Sequence, residues 1–298
     1  DVATGFSLQS DIVANYIIQY GSEEQKAQWL PKMVSGEIVT AIAMTEPGTG
    51  SDLQALRTTA KKDGNHYVIN GSKTYITNGQ NADLILVCCK TDTDVQPAWK
   101  GVSIILVEAD REGYKRGRNL DKVGLDAADT SEMFFEDVRV PITNCLGAEG
   151  QGFIYLMSEL PQERLGIAIG AQTAAQRAFD MTCTFVRDRK VFGKPVMDFQ
   201  NTRFVLADLK SKLQVGWSHI DWCIARHIKK ELTSVEASGA KLWHTELQAE
   251  VVDKCLQLHG GAGFMNEYAI AKQWRGARVT RIFGGTSEIM KELIGRSL

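Results

Sequence analysis

The sequence predicts an α+β fold in three parts. Residues 1–40 read as a helical segment, 41–147 as a central antiparallel β-domain and 148–298 as a C-terminal antiparallel four-helix bundle. Three observations carry this. Short β-branched and aromatic runs separated by turn residues are confined to the middle of the chain. Long uninterrupted helical patterns joined by short connections fill the second half. Helix-capping chemistry, with no strand alternation, marks the first forty residues.

In the first segment, Ser22 stands as an N-cap before Glu23 and Glu24, and Pro31 and Gly36 punctuate the end of the helix that follows. In the second, HYVING, SKTYIT, ADLILVCCK, GVSIILVE and SEMFFEDVRV are the strands. The turns between them are Asp63-Gly64, Asn70-Gly71, Asn78-Gly79 and Glu112-Gly113. In the third, FIYLMSEL leads to Pro161, and a helix beginning at Pro161-Gln162-Glu163-Arg164 runs toward Lys190. Two more long helices follow, the second opening at Ser234-Val235-Glu236. A short terminal helix has Thr286 as its N-cap and Glu288 in its first turn.

Composition narrows the function. Of 298 residues, 44% are hydrophobic and 23% charged, which is ordinary globular usage. Net charge is −2, so no bulk basicity points to nucleic acid, and no apolar run reaches membrane-spanning length. The six cysteines form no C-x-x-C pair, which fits a reducing compartment. No histidine follows a glutamate by three residues, which counts against a carboxylate-bridged metal site in the bundle, and no metal is expected. The first residues lack the pattern of a signal peptide and enter as if in mid-helix, so the chain is expected to be a fragment.

Five motifs stand out, each with an ordinary structural reading beside it. Met44-Thr45-Glu46-Pro47-Gly48-Thr49-Gly50-Ser51-Asp52 is a tight loop whose amides can approach a ligand, or simply a connector. It is neither a dinucleotide fingerprint nor a phosphate-binding loop. Tyr75-Ile76-Thr77 ends a strand before Asn78-Gly79. Gln257-Leu258-His259-Gly260-Gly261 closes a long helix in glycines, as a helix C-terminus commonly does. Phe283-Gly284-Gly285-Thr286 runs into a helix N-terminus, whose free N–H groups suit an anion or a polarised carbonyl. Glu163-Arg164 at a helix start would by itself be dipole compensation and a surface pair.

In this order and spacing, MTEPGTGSD, YIT, DRKVFG, QLHGGAGF and FGGTSEI resemble the successive signatures of the acyl-CoA dehydrogenase family, over essentially the whole chain. The resemblance implies a flavoprotein oxidoreductase of fatty acid metabolism and β-oxidation. It would bind FAD, form a homotetramer and oxidise an acyl-CoA to a trans-2-enoyl-CoA, with no NAD. Electrons would pass to an electron-transfer flavoprotein. The alternatives are an oxidase that passes them to oxygen and a non-catalytic flavoprotein of the same fold. The compartment would be a mitochondrial matrix or a bacterial cytoplasm. The first segment would be the remnant of the family's N-terminal helical domain, with its opening helices absent.

The resemblance also assigns residues. Ile42, Ala43, Met44, Thr45, Gly50 and Ser51 would wrap the flavin, with Ser51 also touching the acyl-CoA. Tyr75, Ile76 and Thr77 would pack on its ring system, with Thr77 near N5. Arg189, Gln200, Gln257, Leu258, His259, Gly260 and Gly261 would hold the adenosine diphosphate across a subunit interface, and Thr286 and Glu288 would complete the site. Arg164, Gly284 and Gly285 would line the substrate. Many members carry the catalytic base as Glu in a Tyr-Glu-Gly-Thr motif, where this chain has Gly284. In long-chain and isovaleryl types a Glu precedes an Arg on the bundle helix, and Glu163 stands there. Glu163 would take the α-proton as the β-hydrogen leaves as hydride to flavin N5. Small residues at 284 and 285 would leave room for it. Gly276 also departs from the family, which commonly has Asp there.

Overall fold

The computed structural model describes residues 3–298; Asp1 and Val2, at the head of the predicted first segment, lie outside the described residues. The chain divides into two compact units. One comprises Asp1–Lys122 and Asp126–Glu159, the other Val123–Leu125 and Leu160–Leu298.

The first unit opens with α1 (Ala3–Ser7), a π-helical stretch (Leu8–Val13), α2 (Ala14–Tyr20) and α3 (Glu23–Ser35). Ser22 and Gln25 form a reciprocal capping box, and Gly36 ends α3 with a left-handed φ of 74°. Pro31 lies inside α3 and does not stop it. The one amide lost there is outweighed by the burial of Trp29 and Met33 on either side.

Seven strands form one sheet: β1 (Thr40–Ala43), β2 (Thr59–Asp63), β3 (His66–Thr77), β4 (Leu84–Lys90), β5 (Val102–Glu108), β6 (Tyr114–Asn119) and β7 (Thr130–Pro141). Their order is β1-β4-β2-β3-β7-β6, with β5 also on β4. Pairing is antiparallel except that β4, antiparallel to β5, runs parallel to β1 and, at Thr59–Lys90, to β2. Parallel neighbours need a long connection, and the β2–β3 hairpin supplies it. Asn70-Gly71 is not a turn. His66–Thr77 is a single strand whose register against β7 shifts between Ile69 and Gly71. The unbroken apolar run of β4 has a plain cause. Leu84, Leu86 and Cys88 face a core shared with Val13, Tyr16 and Trp29, while Ile85, Val87 and Cys89 face one shared with Ile69, Met133 and Phe135. Each such aliphatic side chain contributes about 1.5–3 kcal/mol by leaving water.

In the second half, α4 (Gly152–Asp188) is one helix of 37 residues, and the division between units falls within it. Pro161 is therefore interior, and Glu163 is not at a helix start. A small hairpin, β8 (Lys190–Val191) with β9 (Lys194–Pro195), precedes α5 (Gln200–Ile228). Next come α6 (Ser234–Leu258), α7 (Ala269–Ala277) and α8 (Ser287–Gly295). The fourth helical component is thus two short helices, both packed on α6. Thr233 caps α6 in a capping box with Glu236. Apolar burial centres on Ala175, Ala178, Leu209 and Val251 in one cluster, and on Ala168, Ile220 and Ala240 in a second. Alanines on α4 allow the helices a close approach.

Candidate active site

In the first unit the glycine-rich loop is built around a buried ion pair. Lys73 Nζ lies 2.9 Å from Glu46 Oε1 and donates to Met44 O at 3.0 Å, with both side chains almost wholly out of solvent. Glu46 also accepts from the amides of Arg57 (2.7 Å) and Thr58 (2.9 Å). Burial would raise its pKa, but Lys73 and the hydrogen bonds hold it below the usual carboxylate value. Removing one partner of such a pair typically costs about 3–5 kcal/mol. Thr45 is tied to β3 twice: Thr74 N donates to Thr45 O at 3.0 Å, and Thr45 Oγ1 donates to Thr74 O.

That junction places the loop beside Tyr75-Ile76-Thr77. The β3–β7 register slips between Lys73 and Ile76, and the slip turns Tyr75 out with φ 60° and 70% exposure. An aromatic residue in the left-handed region, with its ring in water, is strained in the manner of a functional position. Ile76 is buried, and the Thr77 hydroxyl makes no hydrogen bond among the described residues. Ile42 and Ala43 are buried in β1, while Gly50 and Ser51 are exposed, with open space where a Cβ on Gly50 would stand. The structure therefore brings residues 42–51 and 75–77 together.

In the second unit Glu163 and Arg164 are both buried, at 9% and 5% exposure. Glu163 stands four residues before Ile167, on the same face of α4. A Cβ on Gly284 would lie 2.5 Å from Ile167 Cδ1, so the turn before α8 packs against the face that carries Glu163. Any side chain at 284 would meet Ile167, so the turn comes this close to α4 only as glycine. Arg164 Nη1 donates to Ser238 at 3.2 Å and Ser234 at 3.4 Å, and its Nε points at Gly284 O, 3.5 Å away. Burial lowers the Arg164 pKa, with Glu163 opposing. Gly284 and Gly285 have φ of 62° and 96°, and neither amide N–H meets a protein acceptor among the described residues. Thr286 caps α8, accepting from Ile289 N at 3.3 Å; Glu288 is exposed in the first turn.

The other assigned residues lie further along this unit. Arg189 and Gln200 are exposed, at the end of α4 and the first position of α5. Gln257 and Leu258 end α6, and Gly260 and Gly261 start an exposed 3-10 turn. His259 is buried, bonded to Cys255 O at 2.8 Å and stacked 4.2 Å from Phe185 on α4, which links this turn to the segment leading to Arg189. Lys241, which sequence reasoning passed over, is fully buried with Nζ 2.6 Å from Gly285 O. The signal available was a lysine on the small-residue face of α6, beside Ala237, Ser238 and Ala240, all buried.

These features were compared with known proteins. The family model described as acyl-CoA dehydrogenase, N-terminal domain matches residues 1–37, the middle domain 41–138 and the C-terminal domain 150–298. The chain is 51% identical over 294 residues to the long-chain specific acyl-CoA dehydrogenase, mitochondrial, of Sus scrofa, covering 99% of this chain and 68% of that protein. A crystal structure of acyl-CoA dehydrogenase from Geobacillus kaustophilus superposes with a TM-score of 0.97 at 51% identity, covering 99% of this chain and 77% of that one. A glutaryl-CoA dehydrogenase from Mycobacterium smegmatis, in complex with FADH2, gives 0.93 at 31% identity, with 99% and 74% covered. The chain belongs to the acyl-CoA dehydrogenase family and is an FAD-dependent oxidoreductase.

Proposed function

We propose that this chain dehydrogenates an acyl-CoA thioester to the trans-2-enoyl-CoA, with Glu163 as the general base that takes the α-proton. The observation that carries the assignment is local: a buried carboxylate on α4 shares its helix face with Ile167, which packs on the Gly284 turn. This supports a reading in which the acid of this chain serves the same cleft as the one many relatives would carry at position 284.

The residues fit FAD. The exposed Tyr75 ring, the unengaged Thr77 hydroxyl and the open loop at Gly50 offer an aromatic platform, a donor and approachable backbone. Residues 42–51 with 75–77 would hold its ring system. Arg189, Gln200 and Gln257–Gly261 would hold its diphosphate end in a homotetramer, with Thr286 and Glu288 beside it. Bound FAD supplies the acceptor for the β-hydrogen as hydride.

An α-proton of a thioester is too weakly acidic for a free carboxylate, so its carbonyl needs polarising. The Gly284 N–H, which has no protein acceptor among the described residues, serves as an oxyanion-type donor. Glu163 stands largely out of water, at 9% exposure, where little solvent competes for the α-proton. Ser51 would touch the acyl-CoA, and Arg164, next to the acid in the chain, approaches Gly284 O at 3.5 Å. The position of Glu163 before Arg164 favours the long-chain and isovaleryl pattern. An electron-transfer flavoprotein is the proposed acceptor. The test is anaerobic bleaching of the bound flavin by acyl-CoAs of varied length and branching, with recovery of the 2-enoyl-CoA. No bleaching by any of them contradicts the proposal, and rapid reoxidation by oxygen identifies an oxidase instead.

A further inference from the structure

A lysine with no exposed surface is uncommon unless its charge is engaged, and Lys241 on α6 is fully buried. Its Nζ donates to Gly285 O at 2.6 Å, and its Cε lies 3.6 Å from where a Cβ on Gly284 would stand. Arg164 approaches the neighbouring carbonyl, Gly284 O, at 3.5 Å. Both carbonyls of the turn thus face cations, while both of its amides have no protein acceptor among the described residues. Two consecutive glycines are the least self-constrained backbone a chain can offer. A Gly-Gly turn that must aim an amide therefore needs an outside clamp.

We propose that Lys241 is a positioning residue for the reaction: by holding the Gly285 carbonyl it fixes the Gly284–Gly285 turn with the Gly284 N–H directed at the thioester oxygen. This rests on the reading of that N–H as the polarising donor. Burial and the neighbouring Arg164 push the Lys241 amine down to about 8, against Glu246 on its own helix. Glu163 lies beside Arg164 on α4, and the turn itself carries no titratable side chain.

The test uses FAD-loaded Lys241→Met, which keeps length but cannot donate, beside Lys241→Arg, which can. One readout bypasses hydride transfer. A 3-oxoacyl-CoA has an acidic carbon between two carbonyls, and its bound enolate is followed by near-ultraviolet absorbance as pH is raised. Lys241→Met is expected to shift that ionisation upward by about one unit or more, the equivalent of a tenfold loss of enolate stabilisation. It should also slow flavin reduction roughly 10²-fold, the scale of a lost or misplaced oxyanion donor, with KM changed less than about 3-fold. Lys241→Arg should recover part of both. A folded Lys241→Met with wild-type ionisation and wild-type flavin reduction overturns the proposal. Should that variant fail to hold FAD, Lys241→Leu takes its place with the same two readouts, and wild-type values for both overturn the proposal. Glu163→Gln separates this from the base assignment. Normal flavin reduction there removes Glu163 as base, whereas the enolate of the 3-oxoacyl-CoA reports the turn whichever group takes the proton.

Discussion

At Gly284 two constraints meet: a left-handed φ of 62°, and Ile167 Cδ1 standing 2.5 Å from any Cβ. Gly284→Ala is expected to cost about 1–2 kcal/mol of stability and to slow flavin reduction. Trimming the neighbour in Gly284→Ala/Ile167→Val should return part of the stability, read by thermal unfolding. The same strain bears on moving the base to this position, since a glutamate at 284 would need both a disfavoured backbone and a displaced Ile167. Thr77 offers a second test. Thr77→Ala is expected to slow flavin reduction in stopped flow more than it weakens acyl-CoA binding, because the hydroxyl would support charge that develops only during the reaction. An unchanged reduction rate removes Thr77 from the chemistry. Glu163 was singled out only through the family resemblance, because an acid-arginine pair by itself reads as dipole compensation and a surface pair. Lys241 was not, since a single lysine in a helix reads as solvated until burial on every side is known.

Helices carry the second lesson. Pro161 reads locally as a boundary, yet α4 continues through it from Gly152 to Asp188. A proline removes one bond and strains one turn, and a helix with long packed segments on either side can absorb that. Asn70-Gly71 misleads in the same way: a turn dipeptide in isolation, it is a bulge inside a twelve-residue strand. Cap residues were readable because their chemistry is local, as at Ser22 and Thr286. Within α6, His244 is fully buried, bonded at 2.9 Å to Gln172 and at 3.2 Å to His219. Burial lowers its pKa from 6.5 to about 4, with His219 acting the same way. The folded state thus stays neutral where the unfolded chain takes up a proton. Stability should fall as pH drops from about 6.5 to about 4, by up to about 3 kcal/mol, and level off below. Urea titrations across that window should show this limb in the wild type and a flatter one in His244→Gln.

For the molecule as a whole, the order of the motifs identified the family because each motif is short and their sequence spans the chain. The partnership of β1 with β4 was not readable, since parallel pairing joins residues brought together only by the whole sheet. The glycine turn after α6, with Phe264 82% exposed beside it, is the surface proposed to serve a neighbouring subunit's FAD. Light scattering with flavin quantitation should give a tetramer with one FAD per chain, and a monomer at full FAD occupancy contradicts shared sites. The central claim, that Glu163 is the base, meets its most direct test in Glu163→Gln, which keeps the shape of the side chain and cannot accept the α-proton. Mixed anaerobically with acyl-CoA in a stopped-flow instrument, this variant should bind both FAD and substrate yet reduce its flavin more slowly by roughly 10²–10⁴-fold or more. Flavin reduction at the wild-type rate would contradict the account.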